Sequence, residues 1–263
     1  MENSTSILYT QEGGIATITL NRPSVFNSFN QEMIKSLQHH LDVAAQDVSV
    51  RAVVLTGTGK AFCAGQDLGE VLEEKEIDFN KIVQENYNPL VLKIRNMDKP
   101  VVAAVNGVAA GAGANLALAC DIVVAKESTN FIQAFSKIGL IPDCGGTYFL
   151  PRLIGLQKAT ALMMLADKVS AAQAKEIGMI YEFFTDDIFD AEVAKIADKL
   201  ANLPTKGLAY TKKLLNQTFN NSIEEQLIQE GLFQAKSGNT SDYQEGVDAF
   251  ICLLYTSPSP RDR

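Results

Sequence analysis

The sequence predicts an α/β fold in which short buried strands alternate with helices. Three observations carry that reading. Apolar runs of strand length end at glycine, as in Ala52–Gly57 and Pro100–Gly107. Helical patterns separate them, and the patterning from about Gly145 onward is helical throughout. The 263 residues, 46% hydrophobic and 21% charged, are enough to bury a large core without disulfide or metal staples.

In chain order, Ile7–Thr10 and Ile15–Leu20 alternate on either side of Glu12-Gly13-Gly14 and read as a hairpin. Asn30 stands where an N-cap belongs, ahead of an amphipathic helix to about Ala45 whose apolar face is Met33, Ile34, Leu37, Leu41 and Ala44. Ala52–Gly57 is a buried strand. Acidic helical sequence runs from Leu68 to about Met97. Pro100–Gly107 is a second buried strand, Gly111–Ala119 a small-residue helix, and Asp121–Ala125 a third strand. Parallel strands joined this way take right-handed crossovers. The later helices break at Gly155, Ser170, Gly178, Pro204 and Gly238. Composition places a core over 1–195, a helical region over 196–251 and a foreign or disordered tail over 252–263, because two Ser-Pro units cannot continue a helix.

The composition also excludes classes of function. A formal net charge of −8 with no basic stripe argues against a nucleic-acid partner. No apolar run is long enough to cross a bilayer, and the polar start Met1–Ser6 lacks a secretory pattern, so no membrane association is expected. Four scattered cysteines (Cys63, Cys120, Cys144, Cys252) read as reduced thiols of a cytoplasmic protein. The only histidines, His39 and His40, lie on the polar side of a helix, so neither a His-assisted nucleophile nor a metal site is expected. Proton transfer would fall to carboxylates, Lys, Tyr or Cys.

Three segments can carry chemistry. Ala61–Leu68, with Ala64, Gly65, Gln66 and Asp67, is a small-residue turn whose backbone can approach a ligand; it can equally be a strand-to-helix loop with Asp67 near the cap. Asn106–Leu116 follows a strand and opens a helix at Gly111-Ala112, exposing N–H groups suited to a phosphate or a developing oxyanion. A dinucleotide fingerprint is disfavoured there, because Leu116 replaces the third glycine and Asp121 comes too early. Ser136–Thr147 sets Asp143 in an apolar, glycine-flanked loop. Asp143 is either a helix cap or a carboxyl whose raised proton affinity makes it a base. Cys144 reads as packing.

Taken together, Leu20-Asn21-Arg22-Pro23, Phe62–Leu68, Val105-Asn106-Gly107 with its Gly/Ala run, Cys120–Val123, and Ile141-Pro142 with Gly145-Gly146-Thr147 resemble the crotonase (enoyl-CoA hydratase/isomerase) superfamily over roughly residues 5–250. The resemblance implies a spiral of ββα units, a helical C-terminal trimerisation region, and homotrimers or dimers of trimers. It implies acyl-CoA substrates bound by Ala64, Gly65, Gln66, Asp67, Leu68, Gly111 and Ala112, with CoA as part of the substrate and no separate cofactor. It places the oxyanion-hole N–H groups at Ala64 and Ala112. The two glutamates of family hydratases correspond to Asn115 and Phe135, so the resemblance implies isomerisation through a single acid/base, Asp143. The most similar members rearrange a ring epoxide on a phenylacetyl thioester or shift a 3-enoyl double bond to the 2-position. A dehalogenase or thioesterase with Asp143 as nucleophile, and a non-catalytic acyl-CoA-binding protein, are the alternatives.

Overall fold

The structure, a computed structural model, describes residues 5–73 and 78–256. The sequence readings of Met1–Ser4 and of the tail from Ser257 onward lie outside the described residues.

Ten strands are described: β1 (Ile7–Glu12), β2 (Ile15–Leu20), β3 (Ala52–Gly57), β4 (Ala61–Cys63), β5 (Val101–Val105), β6 (Val108–Ala110), β7 (Ile122–Lys126), β8 (Asn130–Ile132), β9 (Lys168–Ser170) and β10 (Glu182–Phe184). They form a six-stranded sheet in the order β1-β2-β3-β5-β7-β10 and a four-stranded sheet in the order β4-β6-β8-β9. Among the described residues, only β1–β2 and β8–β9 pair antiparallel. Three times the chain lays a strand in the large sheet, a short strand in the small sheet, and then helix: β3-β4, β5-β6, β7-β8. That repetition is the ββα spiral.

The predicted hairpin is present, with Ile7 opposite Leu20 and Glu12 opposite Ile15. Asn30 caps the helix Gln31–Gln46, its side chain accepting from the Met33 N–H at 3.0 Å. The five apolar residues of that helix are buried as patterned. Each fully buried leucine there contributes about 1.5–3 kcal/mol of burial free energy. β3 and β5 are parallel neighbours whose Val53, Leu55, Val101 and Ala103 belong to the main core. Alternate residues Val54, Val102 and Ala104 face a second cluster under the helix Phe189–Asn202.

Three readings need correction. The acidic segment after Leu68 is not one helix. It divides into Leu68–Glu73, Phe79–Ile82, a π-helical turn Val83–Tyr87, and Asn88–Asn96, with residues 74–77 outside the described residues. The C-terminal half is not purely helical, because β9 and β10 each insert three residues of strand. The helix Ser241–Thr256 runs past Ile251 through Cys252 to the last described residue.

Contacts divide the chain into two compact units, one ending at Asn202 and the other starting at Leu203. The second consists of the helices Thr205–Gln217, Ile223–Gly238 and Ser241–Thr256. Its middle helix opens on a reciprocal cap between Ser222 and Glu225, and Tyr210 packs on Phe233 with ring centroids 5.2 Å apart. Among the described residues, no helix is long and apolar enough to cross a membrane.

Candidate active site

The small sheet positions the site. β4, β6 and β8 are parallel neighbours, so the segments leaving their C-terminal ends gather at one edge. Those segments are Ala64–Asp67, Gly111 with the helix Ala112–Leu118, and the stretch from Gln133 to Gly146. All three sequence motifs therefore converge.

The first segment corrects the assignment of Ala64. Its N–H donates to the Phe26 carbonyl at 3.0 Å and is already committed. The cause lies upstream: Phe26 and Asn27 both take positive φ, 54° and 55°, and aim the Phe26 carbonyl back at the loop. Asn27 locks that turn, donating to Ala61 O at 2.8 Å and Thr58 O at 2.9 Å while accepting from the Arg22 N–H. The free donor is two residues on. Phe29 N–H donates to Gly65 O at 2.7 Å and Asp67 N–H donates to Phe29 O at 2.9 Å, bracketing Gln66 in a parallel bridge. In such a bridge the bracketed residue turns its own N–H to the other side. The Gln66 N–H has no backbone partner among the described residues.

Gly65 makes the close approach possible. It has φ +96°, and a Cβ there would meet Ala110 O at 3.0 Å and Ala112 N at 3.5 Å. Ala112 begins its helix behind Gly111, which has φ 51° and supplies no side-chain cap, so the Ala112 N–H is one of the open donors of that end. Gly111 itself donates to Ile132 O at 2.9 Å, tying this loop to β8.

Asp67 has partners within the protein. Its carboxylate pairs with the Arg22 guanidinium at 2.9 Å and accepts from the Gly69 N–H at 3.1 Å. It braces the loop. Leu68 starts the next helix and is 47% exposed.

Asp143 is the exceptional carboxyl. Its Oδ1 is buried and has no hydrogen-bond partner among the described residues. Burial pushes its pKa up to about 6, although hydrogen bonds from Cys144 and from its own backbone oppose the shift. The alternative of Asp143 as helix cap fails: the helix Gly146–Ile154 is preceded by Gly145 at φ 73°, and no side chain caps it. Burial pushes the Cys144 thiol well up and Cys63 to about 12, so both remain protonated.

Two residues that the sequence reading treated only as missing glutamates have structural work. Asn115 is fully buried; its Nδ2 donates to the Asp143 carbonyl at 2.9 Å, and its Oδ1 accepts from Gln133 Nε2 at 2.8 Å. This clamp fixes the backbone that carries the carboxyl. Phe135 is buried, with its ring 3.7 Å from where a Gly111 side chain would begin, so an apolar wall stands beside the Ala112 loop. Sequence alone flagged neither bond, although an Asn within Ala112–Leu118 and a Gln beside β8 are polar residues in apolar company, which need partners.

Residues 10–253 match the family described as enoyl-CoA hydratase/isomerase. The chain belongs to the enoyl-CoA hydratase/isomerase family. It is 45% identical over 248 residues to the 1,2-epoxyphenylacetyl-CoA isomerase of Escherichia coli K12, covering 93% of this chain and 95% of that protein. A Rhodobacter capsulatus relative named "Probable enoyl-CoA hydratase" is 42% identical over 246 residues, covering 94% and 95%. The crystal structure of an enoyl-CoA hydratase from Mycobacterium smegmatis superposes with a TM-score of 0.90 at 31% identity, covering 97% of this chain and 99% of that one. The fold is therefore the crotonase fold, and the protein is an enzyme of that family, which acts on CoA thioesters. Its relatives include both isomerases and hydratases.

Among the described residues, no three His, Cys, Asp or Glu side chains are grouped to hold a metal ion. A groove of about 510 Å³ lies on the other face of the large sheet, lined by Thr17, Val54, Thr56, Ala104, Phe189 and Asp198. It belongs to the packing of the helix Phe189–Asn202 and holds none of the site residues.

Proposed function

We propose that this enzyme isomerises acyl-CoA thioesters by moving a proton with Asp143, and that its substrate is a ring-epoxidised phenylacetyl-CoA rearranged to the oxepin thioester. A shift of 3-enoyl-CoA to 2-enoyl-CoA is the accompanying activity. The observation that carries the reading is the buried, unpartnered Oδ1 of a carboxyl whose pKa is pushed up to about 6. The 45% identity to a 1,2-epoxyphenylacetyl-CoA isomerase supports the choice of acyl group.

The mechanism follows from the residues. The Gln66 and Ala112 N–H groups hold the thioester carbonyl oxygen, and each such donor contributes about 2.7–4 kcal/mol as charge develops on it. The Asp143 carboxylate takes a proton from the carbon next to the carbonyl, and the C–H electron pair passes into the enolate held by those donors. A pKa near 6 leaves Asp143 ionised above neutral pH yet basic enough to accept. The neutral acid then returns the proton to a carbon further along the conjugated system; with the epoxide, the carbon–carbon bond shared by the epoxide and the six-membered ring also opens, its electron pair entering the double bonds of the seven-membered ring. Substrate and product have the same composition, so the atoms balance without water or a co-reactant. Asn115, already bonded on both sides, and Phe135 provide no second carboxylate to activate water.

For the assembly we take the homotrimer, or a dimer of trimers, of a cytoplasmic enzyme. Ile223, Leu227, Ile228 and Leu232 on the helix Ile223–Gly238 are more than half exposed and suit burial against another copy. Sedimentation as a monomer at micromolar concentration would contradict this assembly.

A substrate panel tests the reaction. The purified enzyme should convert the epoxide and 3-enoyl thioesters and hydrate crotonyl-CoA negligibly. Hydration at an ordinary enzymatic rate, on the order of 1–1000 per second, would overturn the reading.

A further inference from the structure

Tyr87 carries a buried polar group that the proposed proton transfer does not use. Its side chain is 1% exposed, and its hydroxyl has no hydrogen-bond partner among the described residues. A phenylalanine would fill the same space without burying an unpaired hydroxyl, which is costly in a core. Tyr87 also closes the π-helical turn Val83–Tyr87, a distortion that recurs at functional sites.

Its neighbours place the hydroxyl at the reacting end of the site. The Tyr87 ring packs on Phe29 with centroids 6.1 Å apart, and Phe29 is the residue that brackets Gln66. Burial raises the proton affinity of the phenol most, and the negative charge of the Asp143 carboxylate raises it further. The phenol therefore stays protonated and can act as a donor.

We propose that the Tyr87 hydroxyl donates a hydrogen bond to an oxygen of the substrate's acyl group, beside the carbon that Asp143 deprotonates. The enzyme thereby selects acyl-CoA thioesters carrying an epoxide or hydroxyl oxygen there over hydrocarbon acyl groups of the same shape. The proposal rests on the reading of the Asp143 loop as the acyl end of the site. A neutral donor suits an ether, epoxide or alcohol oxygen, whereas a second carboxylate would be repelled by Asp143. A site built to bond an oxygen rejects the analogue lacking it, because the buried donor is then left unpaired.

Calorimetric binding of 2-hydroxyphenylacetyl-CoA and phenylacetyl-CoA to the full-length enzyme and to Tyr87→Phe tests this without turnover. The wild type should bind the hydroxylated thioester about 10-fold or more tightly, the scale of one well-placed hydrogen bond. Tyr87→Phe should bind the two within about twofold of each other and melt no lower than the wild type. A wild type without that preference, or a variant that keeps it, overturns the proposal. So does a variant that melts lower and loses both affinities alike, which would make the hydroxyl purely structural. Failure of the isomerase reading appears elsewhere, as a wild type that binds these thioesters but does not convert the epoxide.

Discussion

The side-chain amide of Asn115 donates to the backbone carbonyl of Asp143 at 2.9 Å, so the helix after the glycine run holds the loop that carries the acid/base. Asn115→Asp is nearly isosteric but replaces the donor by an acceptor facing that carbonyl. It should lower stability by about 1–3 kcal/mol, the cost of leaving buried polar groups unsatisfied, and should reduce kcat more than it raises KM. Thermal melting and steady-state kinetics together check this. Unchanged melting and turnover would remove the clamp from the account.

Asp143 ties activity and stability to pH in opposite directions. Burial lifts its pKa from 3.8 to about 6, so kcat/KM should rise with pH and level off above an inflection near 6, as the carboxylate forms. For folding, a raised carboxyl pKa means that the protein is favoured while the group is neutral and loses that advantage as pH climbs through about 6. At pH 8 the buried charge costs about 3 kcal/mol. Asp143→Asn should therefore melt higher than the wild type at pH 8, with the gain fading toward pH 4. Equal melting at both pH values would contradict the burial that raises this carboxyl's proton affinity.

The Gln66 amide can be tested by proline. Gln66→Pro removes the proposed donor but leaves the Phe29 bonds to Gly65 O and Asp67 N–H, which do not use the Gln66 N–H. Turnover should fall by about 100–1000-fold with the melting temperature nearly kept. Ala64→Pro breaks the bond to Phe26 O and should show chiefly as lost stability. The reverse pattern would restore Ala64 as the donor.

Much of this architecture was legible in the chain. β3 and β5 are continuous apolar runs because parallel strands are buried on both faces, and Asn30 stands where an N-cap must. Asp143 stood out as a lone carboxyl in an apolar loop. The small sheet did not, because β4, β6, β8 and β9 have three residues each, too few to show a period. The shift from Ala64 to Gln66 depends on two residues with positive φ at Phe26 and Asn27; Asn27 is of a type that takes that conformation, but the Phe26 side chain gives no sign of it. Tyr87 was hidden in an acidic segment that reads as ordinary helix, because the π-turn changes which positions face inward.

Turnover and thioester binding by Asp143→Asn show most directly whether Asp143 moves the proton. The substitution keeps the size and polarity of the side chain and removes the base. Turnover of the epoxide and 3-enoyl thioesters should fall by about 100–10,000-fold. Phenylacetyl-CoA should still bind with nearly unchanged affinity, because the Gln66 and Ala112 donors are untouched. A variant that retains full turnover with either substrate would contradict the account.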